Sequence, residues 1–136
     1  MPDWVYHQST GNLFYLNGIS TQPVEQGYSG YGSCKNKPEF QGVKQLGPIP
    51  RGKYTMGAAT EIHGGKIKTA IPLTPDPAND MMGRDGFFVH GDGTVKPGEA
   101  SEGCIICSLE TRKKMDLSAP TTLHVERGPS ENFKPS

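Results

Sequence analysis

Glycine and proline punctuate this chain so often that few segments can propagate a long regular element. There are 18 Gly and 12 Pro among the 136 residues, about a fifth of the chain. Glycine gives up the conformational restriction that favours a helix, and proline removes a backbone donor and blocks the preceding turn. With 33% hydrophobic residues, this pattern favours short strands joined by many turns over a helical bundle. The expected fold class is mostly β, a β-rich α+β domain with one or two short helices.

The segments follow that expectation. "WVYHQS" and "NLFYLNG" are β-prone, aromatic-rich runs around the turn "TGN", and read as a hairpin. Trp4, Tyr6, Phe14 and Leu16 have the parity of one buried face, which leaves Tyr15 pointing outward or toward a neighbouring layer. From Gly18 to Pro50 the chain reads as an ordered but irregular loop, with one helical turn near Lys37 to Val43. "GKYTMGAA" enters a strand, and "EIHGGKIKTAIPL" forms another hairpin with "HGG" as its turn. "GFFVHGD" is a short apolar strand with a polar end, and "CIICSL" a second one. "SLETRKKMDLSA" is the best helix candidate, with Ser108 at its cap and Glu110 in its first turn. "TTLHVERG" closes a single domain over residues 1–128, and 129–136 reads as a C-terminal tail.

Charge and hydropathy exclude several function classes. The 14 basic and 14 acidic residues balance, and no basic block offers a footprint for nucleic acid. No apolar run approaches the roughly 20 residues that span a bilayer, so membrane insertion is not expected. "MPDWVYHQST" lacks the basic-then-apolar pattern of a secretory signal, and the expectation is a chain made in the cytoplasm without one. The 3 cysteines cannot form a complete set of internal disulfides.

The residues with chemical potential cluster in "FFVHGD" and "SEGCII". A thiol with an ordinary pKa near 8.5 needs a neighbouring base to act as a nucleophile at neutral pH. His90 ends one apolar strand and Cys104 begins another, a geometry in which a Cys–His pair meets across a sheet edge. Gly103, just before the thiol, lets a substrate carbonyl approach backbone N–H groups that stabilise an oxyanion. Two other readings of Cys104 stay open on the residues alone. It is half of a CxxC with Cys107, for redox or zinc chemistry, or it is a buried thiol packed as a small hydrophobe. Strand alternation places Cys104 and Ile106 on one face and Ile105 and Cys107 on the other, which turns the two thiols apart.

At these residues the chain resembles the L,D-transpeptidase catalytic domain. "HGD" at His90 to Asp92 and "SEGCII" at Ser101 to Ile106 align with the two halves of that family's signature. With "LGPIPRGKY" added, it looks like the small type VI secretion L,D-transpeptidase effectors, over roughly Trp4 to Val125. The resemblance implies an L,D-transpeptidase-like β-sandwich that acts on peptidoglycan stem peptides in the periplasm of a target bacterium. Cys104 is then the nucleophile and His90 its base, with Asp92 or the carbonyl of Gly91 orienting the imidazole. Ser101, Glu102 and Gly103 support the nucleophile. The same resemblance implies no metal and no organic cofactor, and as partners a secretion-system component and a cognate immunity protein.

Arg84 is the candidate clamp for a substrate carboxylate, and Tyr28 and Tyr31 are candidates for a loop capping the groove. Two positions depart from the pattern. Glu102 stands where the family has a second histidine, and Ile106 where it has Arg or Asn. These departures give weight to a non-catalytic binding module on the same scaffold.

Overall fold

The N-terminal hairpin sets the register of the sheet, and it does so from its turn. In the computed structural model, which describes residues 3–16 and 22–129, β1 (Asp3–His7) and β2 (Asn12–Leu16) pair antiparallel. Gly11 N–H donates to the carbonyl of His7 at 2.9 Å, and Asn12 N–H to Thr10 Oγ1 at 3.1 Å. This turn places Tyr15 opposite Trp4 and Leu13 opposite Tyr6. Leu13 and Tyr15 therefore share the core face, while Phe14 is partly covered and Leu16 is exposed. The parity expected for β2 is thus inverted, because the turn shifts the strand by one residue and a one-residue shift exchanges its faces.

The remaining strands are β3 (Glu25–Gln26), β4 (Tyr28–Ser29), β5 (Gly52–Met56), β6 (Thr60–Ile62) and β7 (Ile67–Pro75). They are followed by β8 (Phe88–His90), β9 (Ile105–Ile106), the helix α1 (Leu109–Ser118) and β10 (Thr121–Glu126). In space the strands run β3-β2-β1-β10-β5-β7-β8-β9-β4, with β6 attached to β7. β1–β10 and β8–β9 are parallel pairs and the other pairings are antiparallel.

β7 changes partner along its length. Its first residues pair with β6, Ile71 and Pro72 with β8, and Leu73 to Pro75 with β5. A register shift on β6 and a positive φ of 55° at Thr69 accompany the change. A strand bent in this way lets the two ends of the sheet face each other as a sandwich around one core. Trp4, Tyr6, Tyr54, Ile71, Ile105 and Leu123 are fully buried in that core.

α1 forms where the sequence predicts it. Ser108 Oγ accepts from Thr111 N–H at 3.3 Å, and Glu110 lies in the first turn. Glu25 reaches over from β3 and accepts from Ser108 N–H at 2.9 Å and from Thr111 Oγ1 at 2.6 Å. The helix packs on β7 and β8 and sends Met115 into the core. The expected helical turn after Lys37 is a short 3-10 segment at Pro38–Phe40. β3 and β4 lie inside the stretch read as irregular. Of the tail at 129–136, all but Pro129 lies outside the described residues. No helix among the described residues is long and apolar enough to cross a membrane.

Candidate active site

The parallel pairing of β8 with β9 brings the two motifs together. Val89 lies opposite Ile105 and His90 opposite Ile106, which places Cys104 beside Phe88. Phe88 N–H points at Cys104 Sγ, 3.4 Å away. Residues two apart in a strand face the same way, so His90 and Cys104 occupy diagonal positions on one face. Both line a groove of about 1010 Å³. Ile105 and Cys107 turn the other way, into the core. The three cysteines are free thiols, and Cys104 and Cys107 point to opposite sides of their strand, as alternation requires.

A knot of hydrogen bonds holds the turn that carries Cys104. Ser101, fully buried, accepts from Gly30 N–H at 2.8 Å and from Gly103 N–H at 3.0 Å, and donates to the carbonyl of Cys104. Ser29, also fully buried, donates to the carbonyl of Gly103 at 2.8 Å and accepts from Ile49 N–H at 2.8 Å. Gly103 has a φ of 133°, and a Cβ there would lie 2.5 Å from Arg84 Nη2 and 2.7 Å from Phe87 Cε1. Glycine is required at this position on both counts. The Gly103 N–H itself is taken up by Ser101 Oγ.

His90 is 7% exposed, and its Nδ1 lies 2.9 Å from the carbonyl of Gly91. A carbonyl only accepts, so Nδ1 carries the proton and Nε2 keeps its lone pair. Of the two orienting groups considered, Gly91 meets the imidazole. Asp92 does not. Its carboxylate accepts instead from Tyr28 Oη at 2.7 Å and from the N–H groups of Gly93 at 2.9 Å and Gly98 at 3.0 Å, pinning the loop between base and thiol. These bonds hold the Asp92 carboxyl below its ordinary pKa despite partial burial, and burial together with Asp92 pushes the Tyr28 hydroxyl up to about 12.

The surroundings of both side chains disfavour their charged forms. Burial pushes the Cys104 thiol above its ordinary value of 9.0, and the Glu102 carboxylate adds to the shift; Phe88 N–H and Arg84 oppose it. Burial likewise pulls His90 below 6.5, helped by the positive charge of Arg112 and by His63, against the Gly91 bond and Asp92. These directions favour a neutral thiol and a neutral imidazole over a thiolate–imidazolium ion pair.

Three expected substrate contacts fare differently. Tyr31 lines the groove. Tyr28 does not; its hydroxyl is committed to Asp92 and accepts from Ala100 N–H at 3.0 Å. Arg84 borders the groove but is 6% exposed, with its Nη1 and Nη2 donating to the carbonyls of Gln41, Gly47, Pro48 and Glu102. It staples loops together and leaves the free-clamp role unfilled. Lys44, unnoticed in the sequence, and His63, read there only as part of the "HGG" turn, line the same groove. Ser29 was also missed, since a two-residue strand carries no periodic signal. Glu102 lines the groove as an exposed carboxylate beside the thiol.

The Tlde1 domain profile matches residues 24–126. No curated protein sequence matches the chain significantly. Among solved structures, an L,D-transpeptidase from Mycobacterium smegmatis superposes with a TM-score of 0.53 at 16% identity, over 92% of this chain and 58% of that one. Bd1075 from Bdellovibrio bacteriovorus gives a TM-score of 0.54 at 15% identity, over 93% and 48%. The chain thus spans about half the length of these two structures, and the likeness is one of fold. With both motifs in one groove and most of the sequence matched, the chain belongs to the Tlde1 domain family, the L,D-transpeptidase effectors of type VI secretion.

Proposed function

We propose that the protein is a cysteine L,D-carboxypeptidase and L,D-transpeptidase that cuts the bond between diaminopimelate, the third residue of a stem tetrapeptide, and the terminal D-alanine. The observation that carries this reading is the placement of His90 and Cys104 on one face of the β8–β9 pair, lining one groove. As Sγ attacks the carbonyl carbon, His90 Nε2 takes the thiol proton. The tetrahedral intermediate collapses, His90 returns that proton to the departing amine, and D-alanine leaves a thioester on Cys104. Water or the amine of a D-amino acid then attacks the thioester, with His90 again accepting the proton. The thiolate departs and is reprotonated. Phe88 N–H, aimed at Sγ, favours the sulfur whenever it carries negative charge.

Lys44 takes the place first considered for Arg84, as a cationic group on the groove wall for a substrate carboxylate, with the His63 ring on the same wall. Delivery by a secretion machine into the periplasm of a target cell, and a cognate immunity protein that blocks the groove, belong to the same reading. Mass spectrometry of a tetrapeptide muropeptide incubated with the protein tests it. Cys104-dependent loss of D-alanine supports it, and added D-amino acid separates hydrolysis from exchange. Binding of the tetrapeptide with no turnover by folded protein moves the assignment to a non-catalytic module, the reading that Glu102 and Ile106 favour.

A further inference from the structure

We infer that Arg112, on α1, is a positioning residue for His90: its buried guanidinium fixes the turn that carries the imidazole and places a positive charge directly behind it. The inference rests on the proposed function only in treating His90 as the base. Arg112 is 8% exposed, yet no acidic side chain pairs with it among the described residues. The ion pairs among the described residues, His7 with Glu126 and His124 with Asp3, do not include it. Backbone carbonyls clasp it instead. Nε donates to Cys107 and Ser108 at 3.3 Å each, and Nη1 to Lys68 and Thr69 at 3.1 Å each.

Two features tie this clasp to the base. The peptide of Cys107 joins them: its carbonyl accepts from Arg112 Nε, while the Cys107 N–H donates to the carbonyl of His90 at 3.1 Å. Gly91, whose carbonyl orients His90, lies so near that a Cβ on it would sit 2.7 Å from Arg112 Nη2. On the far side, the clasped carbonyls belong to the kink of β7, where Thr69 has a φ of 55°. That is an unfavourable conformation for a β-branched residue, and it needs surroundings that hold it. One side chain therefore fixes the base turn, the start of α1 and the kink from which the groove wall with His63 departs.

A buried cation held by backbone carbonyls and by no acidic group among the described residues is costly, here as at Arg84. The field of Arg112 opposes protonation of His90. The charged and titratable groups bearing on that imidazole are Arg112 from α1, His63 from the turn after β6, Asp92 from the loop after β8 and Cys104 from the approach to β9. Burial is the largest influence and favours the neutral ring; Arg112 is the strongest of the neighbouring charges acting in that direction.

The test is the NMR titration of His90 in the Cys104→Ala protein, which needs no turnover and so stands apart from the peptidoglycan assignment. The expected result is a higher His90 midpoint in Arg112→Met and a midpoint still low in Arg112→Lys, which keeps the charge. In protein with Cys104 present, the acid limb of turnover moves up in step for Arg112→Met. Should Arg112→Met fail to fold, Arg112→Gln serves, since it also removes the charge and raises the midpoint in the same direction. An unchanged His90 midpoint in either folded variant overturns the inference.

Discussion

Ser29→Ala is expected to weaken both the fold and the reaction, although Ser29 touches neither Cys104 nor His90 through its side chain. Its hydroxyl joins two buried backbone groups, the Gly103 carbonyl and the Ile49 N–H, each at 2.8 Å. Ser29 and Ile49 are both 0% exposed, so water does not readily replace the lost oxygen. Leaving a buried donor or acceptor unpaired costs about 1–3 kcal/mol, and two of them cost about 2–6 kcal/mol. The domain survives that loss, because small domains have about 5–15 kcal/mol in hand. At roughly 3 °C per kcal/mol for a chain of this size, Tm falls by about 6–18 °C.

The catalytic effect follows from Gly103. Freed from Ser29, its carbonyl no longer anchors the residue before the nucleophile, and a thiol misplaced by a fraction of an ångström attacks poorly. We expect kcat to fall by about ten- to a hundredfold with little change in KM. Thermal unfolding by circular dichroism and muropeptide turnover at a temperature where the variant is folded are the assays. A Tm within about 2 °C of wild type together with unchanged kcat would refute the reasoning, since about 1 kcal/mol or less would then separate the proteins.

Other outcomes follow from the same geometry. Cys104→Ala and His90→Ala abolish turnover and leave the fold intact, as circular dichroism and a product assay show side by side. Cys107→Ala keeps activity and costs on the order of 1–2 kcal/mol in denaturant unfolding, since the thiol packs in the core. The pH profile of kcat/KM is broad: its acid limb lies below 6.5 and its alkaline limb above 9.0, because His90 is pulled down and Cys104 pushed up. A preformed thiolate–imidazolium pair reverses the assignment, with the thiol on the acid limb and the imidazole on the alkaline limb. In the stability profile, the unfolded chain binds more protons than the fold just below pH 6.5, so His90 costs stability as pH falls there. Cys104 costs stability as pH rises past 9.0, where the unfolded thiol ionises first.

What the sequence made legible was local. The cap at Ser108, the "HGG" turn and the strand ends at His90 and Cys104 are set by residues close in the chain, and the structure has them where they were expected. Alternation also separated Cys104 from Cys107 correctly, because a period of two holds even in a strand as short as β9. The errors arose where distant segments decide. Arg84 reads as a free cation until loop 41–48 folds its carbonyls around it. Tyr28 and Asp92 each suggest a role in the site, and their mutual bond across 64 residues of sequence assigns them to loop structure. Arg112 looks like one more charge on a polar helix, and only the kink of β7 and the Gly91 turn make it a buried cation.

The central claim is that Cys104 forms a thioester with His90 as its base. Intact-protein mass spectrometry of acid-quenched mixtures with a tetrapeptide muropeptide tests it directly, followed by mapping of the modified residue. The account predicts an adduct of the substrate less D-alanine on Cys104 in wild-type protein, and none in His90→Ala. Release of D-alanine by wild-type protein with no adduct on Cys104, or an undiminished rate in Cys104→Ala, would contradict it.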